Sequence, residues 1–222
     1  MFYTTDTRKH GLKFDPFKAL VVPRPIGWVS TISADGVANL APFSFFNAIS
    51  DYPPMLIFSV ANGKDTLNNI EATRECTCSI VSHSLVDEMN MSSAPVGSSV
   101  SEWDLGNIEM TSSQLVKPPR VAKSPAAFEC SHWKTVKLPI NKERPDSGFT
   151  TVIVTVDAVY IDDAYIKDGL VDTAAMQPLA RLGYMDYAVV NEKNMFTLNR
   201  PAVSEDGKTA TLESGPWDGV FR

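Results

Sequence analysis

Runs of apolar residues divide the first part of the chain into short predicted strands. Strand-like segments cover residues 19–22, 26–32 and 37–41, and Ala34-Asp35-Gly36 separates the last two. Asp-Gly between two such segments indicates a hairpin, because glycine readily adopts the positive φ that a tight turn requires. A further apolar run covers residues 55–60. The pattern therefore predicts a hairpin followed by another strand.

Two short helices and a loop are predicted next. Asp65 stands where a helix N-cap belongs, and apolar residues follow it two and five positions later, so a helix should begin near residues 64–66. Residues 85–90 form a second short helical pattern. Residues 92–100 are small and polar and contain proline and glycine, which is typical of a loop.

The second half of the chain continues in strands. Residues 77–81, 127–130, 135–138 and 150–156 are rich in β-forming residues, and the charged residues 141–147 fit a solvated hairpin loop. Strands outnumber helices, and the alternation of strand and helix that builds parallel sheets is missing from the pattern. We therefore predict a mainly β fold with a few short peripheral helices.

Composition and charge exclude several classes of partner. The 222 residues carry a formal net charge of −6, so the chain lacks the positive field that binding to nucleic acid or an anionic membrane requires. Residues 1–17 include charged side chains and no apolar stretch of the kind found in signal peptides. No window is long and apolar enough to span a bilayer. A cytoplasmic protein is expected.

The three cysteines are expected to be reduced core residues. Cys76, Cys78 and Cys130 are an odd number in a chain too long to need disulfides for stability. Cys76 and Cys78 would face the same side of a strand, and the two-residue spacing of a zinc knuckle is missing. Packing in the core is favoured over metal binding, and no metal site is expected.

An unusual polar segment surrounds Pro42. Proline at this position interrupts a strand-like run, so it belongs at a sheet edge, in a bulge or at the start of a loop, where backbone groups stay unpaired. Those groups, with the hydroxyl of Ser44 and the amides of Asn39 and Asn47, can hydrogen-bond the edge of a planar heterocycle. The same residue types also terminate turns, and spacing alone leaves both interpretations open.

Lys64-Asp65-Thr66 forms a second candidate site, for a phosphate group. Free N–H groups at a helix start, a lysine and a hydroxyl suit an anion, although Asp65 would repel it unless its carboxylate turns back to cap the helix. Arg24, held between two prolines, is a further candidate phosphate ligand. A solvated Lys64 and a surface ion pair for Arg24 are the alternatives.

Residues 17–47 closely resemble the flavin reductase-like proteins that bind flavin mononucleotide (FMN), and the resemblance extends over about residues 10 to 200. Several motifs occurring in order are far more specific than any one of them. They are Pro23-Arg24-Pro25-Ile26-Gly27-Trp28-Val29-Ser30-Thr31, Asn39-Leu40-Ala41-Pro42-Phe43-Ser44-Phe45-Phe46-Asn47, Lys64-Asp65-Thr66, Ser93-Ala94-Pro95, Pro118-Pro119-Arg120-Val121 and Leu179-Ala180-Arg181-Leu182-Gly183-Tyr184-Met185-Asp186-Tyr187.

The resemblance implies a split β-barrel of antiparallel strands with Greek-key topology, in a homodimer with FMN near the subunit interface. The expected organisation is one domain, 1–222, with a barrel core over about 16–165 and a C-terminal extension over about 166–222. Within it, the segment Tyr184 to Arg222 would either cover a neighbouring subunit's flavin site, since Arg181, Tyr184 and Tyr187 suit a pocket rim, or pack against its own chain for stability.

The resemblance also assigns roles to residues. Lys64 and Thr66, beside Asp65 and with Arg24 as a further ligand, would hold the phosphate. Trp28 would either pack on the flavin ring or belong to the barrel core. The isoalloxazine ring and ribityl chain would be lined by Ser30, Thr31, Asn39, Ala41, Pro42, Ser44 and Asn47.

One departure from the family leaves the function open. Many nicotinamide-using flavin reductases carry a Gly-Asp-His motif before the last barrel strand, where this chain has Asp146-Ser147-Gly148-Phe149. The first hypothesis is an oxidoreductase that reduces flavin with NADH or NADPH and passes electrons to an acceptor or a partner oxygenase. The alternative is a non-catalytic FMN electron carrier resembling flavoredoxin. No catalytic residue is identified.

Overall fold

The computed structural model describes residues 1–5, 7, 9–140 and 147–219. The strands of these residues are, in chain order, β1 (Arg24–Pro25), β2 (Gly27–Ile32), β3 (Ala38–Phe43), β4 (Phe46–Asp51), β5 (Pro54–Ala61), β6 (Glu75–Ile80), β7 (Met110–Thr111), β8 (Arg120–Val121), β9 (Ala126–Lys137), β10 (Phe149–Ile161), β11 (Ile166–Lys167), β12 (Leu170–Val171), β13 (Leu179–Arg181), β14 (Tyr187–Val189), β15 (Ala202–Val203) and β16 (Ala210–Thr211). The α-helices are α1 (Phe17–Leu20), α2 (Asp65–Thr73), α3 (Val86–Met91), α4 (Glu102–Leu105) and α5 (Thr173–Met176).

Seven strands form one antiparallel sheet in the order β3-β2-β6-β9-β10-β5-β4. The two edge strands, β3 and β4, follow each other in the chain with only Ser44 and Phe45 between them. The sheet therefore curls until its two edges lie next to each other, which produces a barrel that is split between β3 and β4. The predicted split barrel of antiparallel strands with few short helices is confirmed.

Apolar side chains fill the inside of this barrel. Val29, Phe58 and Val152 come from three different strands and are completely buried in one cluster. Helix α2 adds Leu67 and Ile70 to the same cluster, so it is packed against the barrel interior. This packing fixes the position of the first turn of α2 relative to β2 and β3.

A second apolar cluster lies on the outer face of β2 and β3. Trp28 and Leu40 are fully buried there, beside Met89 of α3, Trp103 of α4 and Leu179 of β13. Because side chains alternate along a strand, β2 contributes Trp28 to this outer cluster and Val29 to the interior. The run at residues 26–32 is therefore apolar on both faces.

Most predicted elements are confirmed, with one exception near the N-terminus. The hairpin of β2 and β3 turns at Gly36, whose φ is +87°, and residues 92–100 form a loop. Residues 19–22 were expected to be a strand, and this prediction is wrong, because the helix α1 covers residues 17–20. The carboxylate of Asp15 accepts a hydrogen bond from the backbone N–H of Phe17, which starts a helical turn.

The strands predicted at 127–130 and 135–138 form a single strand, β9, because bulges in its pairing with β10 let the ladder continue through the less apolar centre. The predicted loop at 141–147 lies mostly outside the described residues. The predicted strand at 150–156 is longer than expected, since β10 extends to Ile161.

The chain returns to the barrel after β10. β13 pairs with β1 and with β14, so residues 179–189 lie against the start of the barrel. Residues 192–219 are almost entirely exposed on this chain. The proposed division into a core and an extension stays a prediction. Within the described ranges, no helix combines the length and apolarity that crossing a membrane would need.

Candidate functional site

A cavity of about 350 Å³ lies between the edge strand β3, the start of α2 and the loop of residues 92–98. We call it the main cavity. Six of the residues predicted from sequence line it: Asn39, Ala41, Pro42, Lys64, Asp65 and Thr66. The two segments that the sequence proposed separately, around Pro42 and at Lys64-Asp65-Thr66, therefore form one site.

The first turn of α2 supplies backbone donors to the main cavity. The N-cap is Lys64, in extended conformation, and no side chain caps the helix. The first intrahelical hydrogen bond joins the N–H of Leu67 to the carbonyl oxygen of Lys64. The N–H groups of Asp65 and Thr66 come before this bond in the helix and have no acceptor within it. These N–H groups and the positive end of the helix dipole favour the binding of an anion.

The prediction that Asp65 is the N-cap is wrong. Asp65 is the first residue of α2, and its carboxylate accepts a hydrogen bond from the hydroxyl of Ser98 at 2.9 Å. The carboxylate thus ties the loop of residues 92–98 to the helix and does not shield the helix N-terminus. Its negative charge stays in the lining of the main cavity.

Asn39 is the centre of a buried hydrogen-bond network under the main cavity. Its Oδ1 accepts from the hydroxyls of Thr31 at 3.3 Å and Thr66 at 2.9 Å, and its Nδ2 donates to Glu102 Oε2 at 3.1 Å. Asn69 donates to the Thr31 hydroxyl at 3.1 Å. The network links β2, β3, α2 and α4, and so fixes the helix start against the edge strand.

Pro42 lies on the edge strand, as predicted. It pairs in register with Trp28 of β2, and a residue without an N–H is accommodated where its backbone points away from the neighbouring strand. Leu40, two residues earlier, has the same backbone direction, and its N–H bonds the carboxylate of Glu102 at 3.4 Å. The carbonyl groups of Leu40 and Pro42 therefore point away from β2, and their oxygens are acceptors that the pairing of β2 with β3 does not use.

Arg24 and Ser44 line a second cavity of about 300 Å³, which shares Pro42 and Ser93 with the main cavity. We call it the arginine cavity. The guanidinium of Arg24 donates to the backbone carbonyls of Lys18, Val21 and Leu182. Among the described residues Arg24 has no ion-pair partner, and it lines a different cavity from Lys64.

The remaining four predicted site residues line neither cavity. Trp28 belongs to the outer apolar cluster, and its indole N–H donates to the hydroxyl of Ser92 at 2.9 Å. Ser30 and Thr31 are fully buried beneath the cavities. Asn47 is exposed on β4, where its side-chain oxygen Oδ1 accepts from the backbone N–H of Ala48.

The loop of residues 92–98 and the residue Glu102 were not predicted as site residues. The loop provides Ser92, Ser93, Ala94, Val96, Gly97 and Ser98 to the main cavity. The small, polar composition of this loop was the available signal. Glu102 offered no signal in sequence, because its role depends on α4 packing against β3.

The cysteines lie together away from both cavities. Cys76 of β6 is opposite Cys130 of β9, and the three Sγ atoms lie within 4.8 Å of one another inside the barrel. Hydrogen bonds with Cys76 and Cys78, together with burial, raise the pKa of the Cys130 thiol. The expectation that they are core residues agrees with their full burial, and the expected absence of a metal stays a prediction.

The chain resembles known proteins over most of its length. The model of the flavin reductase like domain matches residues 19–179. An uncharacterized protein of Aquifex aeolicus is 35% identical over 170 residues, which are 74% of this chain and 83% of that protein.

Solved structures share the fold. Nitrilotriacetate monooxygenase component B from Bacillus cereus has a TM-score of 0.80 at 23% identity and covers 89% of this chain and 98% of its own. The 2-nitrobenzoate 2-nitroreductase NbaA of Pseudomonas fluorescens has a TM-score of 0.77 at 24% identity, covering 92% and 100%. An FMN-binding protein from Thermus thermophilus has a TM-score of 0.65 at 15% identity, covering 81% and 93%. The chain therefore belongs to the flavin reductase-like family.

Proposed function

We propose that the chain binds FMN in the main cavity and acts as an oxidoreductase that reduces this flavin with NADH or NADPH. The observation on which the proposal rests is the meeting of an uncapped helix start, Lys64 and the free edge of β3 in one cavity. Family membership and the fold shared with an FMN-binding protein support it. The reduced flavin would then pass electrons to an acceptor or to a partner oxygenase, which the shared fold with a monooxygenase component favours.

The donors and acceptors of the main cavity fit a phosphorylated heterocycle. The N–H groups of Asp65 and Thr66 and the ammonium of Lys64 would hold the phosphate. The outward carbonyl of Pro42, which lines the main cavity, suits the polar edge of a flat ring. FMN, when bound, supplies hydride and electron transfer, and the protein supplies orientation and access.

The polar network under the cavity keeps these groups in place. Asn39 joins Thr66 of α2 to Glu102 of α4, so the phosphate donors and the ring edge are held at a fixed separation. Glu102 is bonded to Asn39 and to the N–H of Leu40, which partly compensates its charge near the cavity. Positioning rather than proton transfer is the role we assign to these side chains.

A non-catalytic FMN carrier is the second candidate, and one observation favours it. Of the three histidines, His10, His83 and His132, none lines the main cavity as the described residues define it. Phe149 lines the cavity instead, directly after Ser147 and Gly148. Asp146, the first residue of the segment that replaces the family's Gly-Asp-His, lies outside the described residues.

The test begins with reconstitution of the purified protein with FMN and a visible spectrum. Substituting Lys64→Gln should weaken FMN binding by about tenfold or more, because a charge-assisted hydrogen bond is lost. Binding of riboflavin, which has no phosphate, should not change. Lys167→Gln removes the same charge from an exposed position on β11 and is the matched control. Equal losses for FMN and riboflavin would refute the phosphate assignment.

Anaerobic mixing with each nicotinamide separates the two functions. Bleaching of the FMN absorbance by NADH or NADPH supports the reductase. A stable yellow complex that neither nicotinamide reduces supports the carrier.

We also propose that the protein is a homodimer in which the β4 edge forms part of the interface. Ile49 and Tyr52 of this region are exposed, and Phe45 packs edge-on against Phe149 with ring centroids 5.8 Å apart. Phe149 lines the main cavity, so a partner covering this patch would also cover the flavin site. Sedimentation analysis of Ile49→Lys tests this arrangement, since a charge in an apolar interface should shift the protein towards monomer.

A further inference from the structure

The arginine cavity carries positive charge without a balancing carboxylate. Lys18, Arg24 and Arg181 line it, and none of its described lining residues is an aspartate or glutamate. This is unusual in a chain whose net charge is −6. By contrast, Asp65 and Glu102 accompany Lys64 in the main cavity. The arginine cavity therefore suits an anionic group of its own, separate from the phosphate assigned to the main cavity.

The two arginines are forced together by the sheet. Arg24 of β1 and Arg181 of β13 are directly opposite in the antiparallel pairing. Like charges in this relation repel each other. Burial is the larger cause, and the charge of Arg181 the smaller one, of a lowered pKa for Arg24. A bound anion between them would remove this repulsion.

Arg24 is held in place but not neutralised. It is 7% exposed, its guanidinium donates to three backbone carbonyls, and its Nε is buried without a hydrogen-bond partner among the described residues. Carbonyl oxygens satisfy donors but carry no full charge. The side chain thus keeps its net positive charge beside the cavity, and its buried Nε is a donor that no described residue satisfies.

Arg181 is also positioned in advance. Its guanidinium lies over the ring of Tyr187, 4.4 Å from the ring centroid, and donates to the carbonyl oxygen of Tyr184. The turn that contains Tyr184 lies against α1, because a Cβ on Gly183 would lie 2.8 Å from Ala19 Cα. This close approach places Lys18 of α1 at the same cavity as Arg181.

The rest of the wall selects the kind of anion. Ile26, Met89 and Tyr187 offer apolar and aromatic surface, while Ser44 and Asn90 add neutral hydrogen-bonding groups. A volume of about 300 Å³ suits one ring or a short chain and is too small for a whole nicotinamide dinucleotide. Guanidinium groups bind carboxylates in a planar, two-point geometry.

We propose that the arginine cavity binds the carboxylate of a small organic acid, most simply an aromatic one, next to the flavin. The inference rests on the proposed function, because Pro42 and Ser93 are shared walls between this cavity and the site assigned to FMN. Arg24 and Arg181 select this acid by its charge.

Benzoate is the probe, with benzamide as its neutral counterpart. The FMN-loaded protein should bind benzoate at least about tenfold more tightly than benzamide, as measured by perturbation of the flavin spectrum and by calorimetry. Arg181→Gln should remove this preference, and Lys18→Gln should reduce it several-fold without affecting folding, since Lys18 is exposed. Arg200→Gln, which removes one exposed positive charge from the C-terminal segment, should leave it unchanged.

Each contrary result has a distinct meaning. Equal binding of benzoate and benzamide by the wild-type protein overturns the proposal. A loss of FMN affinity in Arg181→Gln also overturns it, because the cavity would then serve the flavin phosphate. A raised KM for NADH in that variant, without benzoate binding, assigns the charge to the nicotinamide phosphates and again overturns it. If FMN does not bind at all, the proposed function fails, and calorimetry with benzoate on the flavin-free protein still tests the anion site.

Discussion

Substitution of Asn39 by alanine is the sharpest test of how the candidate site is held together. Asn39 is 9% exposed and makes three hydrogen bonds, with Thr31, Thr66 and Glu102. Alanine removes all three and leaves buried hydroxyls facing a void. Two of the bonds join neutral groups and one joins a carboxylate.

The expected loss follows from these partners. Neutral hydrogen bonds contribute about 1 kcal/mol each and a bond to a charged group about 1.5–3 kcal/mol. Thr31 still accepts from Asn69, and Glu102 still accepts from Leu40, which offsets part of the loss. We expect Asn39→Ala to lower the free energy of unfolding by about 3 kcal/mol, and the Tm by roughly 6–12 °C for a chain of this size.

Urea unfolding of the flavin-free protein measures this change without a contribution from ligand binding. Asn68→Ala is the matched control, because Asn68 is exposed on the same helix, and its effect should stay within about 0.5 kcal/mol. FMN affinity should fall in Asn39→Ala as well, since the start of α2 loses its anchor to β3.

A second substitution at the same position separates geometry from charge. Asn39→Asp keeps the acceptor for the two threonines but sets a carboxylate against that of Glu102, and it should destabilise the protein. Adding Glu102→Gln should recover part of the loss, because an amide can then donate across the pair. If Asn39→Ala costs less than about 1 kcal/mol, or if the double variant shows no recovery, the network does not hold the site.

Three further predictions address packing, charge and assembly. Gly27→Ala should lower the free energy of unfolding by about 1–3 kcal/mol, because the added Cβ would lie 2.3 Å from the buried ring of Phe46. Gly97→Ala is the control, since a Cβ there meets no atom within 4 Å. Equal urea midpoints for the two variants would contradict this prediction. Asp65→Asn should raise FMN affinity by about threefold to tenfold in a fluorescence titration, since it removes a negative charge beside the phosphate donors, and unchanged affinity would place the phosphate elsewhere. Ending the chain after residue 191 should leave the Tm nearly unchanged, because the exposed Phe196, Leu198 and Leu212 have little contact with their own chain. It should weaken dimerisation by at least about tenfold in sedimentation analysis. Unchanged dimerisation would exclude a role for residues 192–222 in the dimer.

Local sequence patterns were sufficient for much of the fold. The Asp-Gly turn, the apolar strands and the helix beginning at residue 65 all follow from neighbouring residues. Patterns failed where a local side chain overrode strand propensity, as Asp15 does at α1, or where bulges joined two predicted segments into β9. The N-cap was misplaced because the carboxylate of Asp65 has a distant partner, Ser98, which no local rule reveals.

The candidate site shows the same limit. The sequence determined that residues near Pro42 and residues near Lys64 had unpaired polar groups, since proline and a helix start have this effect wherever they occur. The tertiary structure brought these groups to one cavity and buried Ser30 and Thr31 behind it. It also placed Arg24 opposite Arg181. Hydrophobic periodicity records which face of a segment is buried, whereas the register between strands far apart in the chain is set by long-range packing.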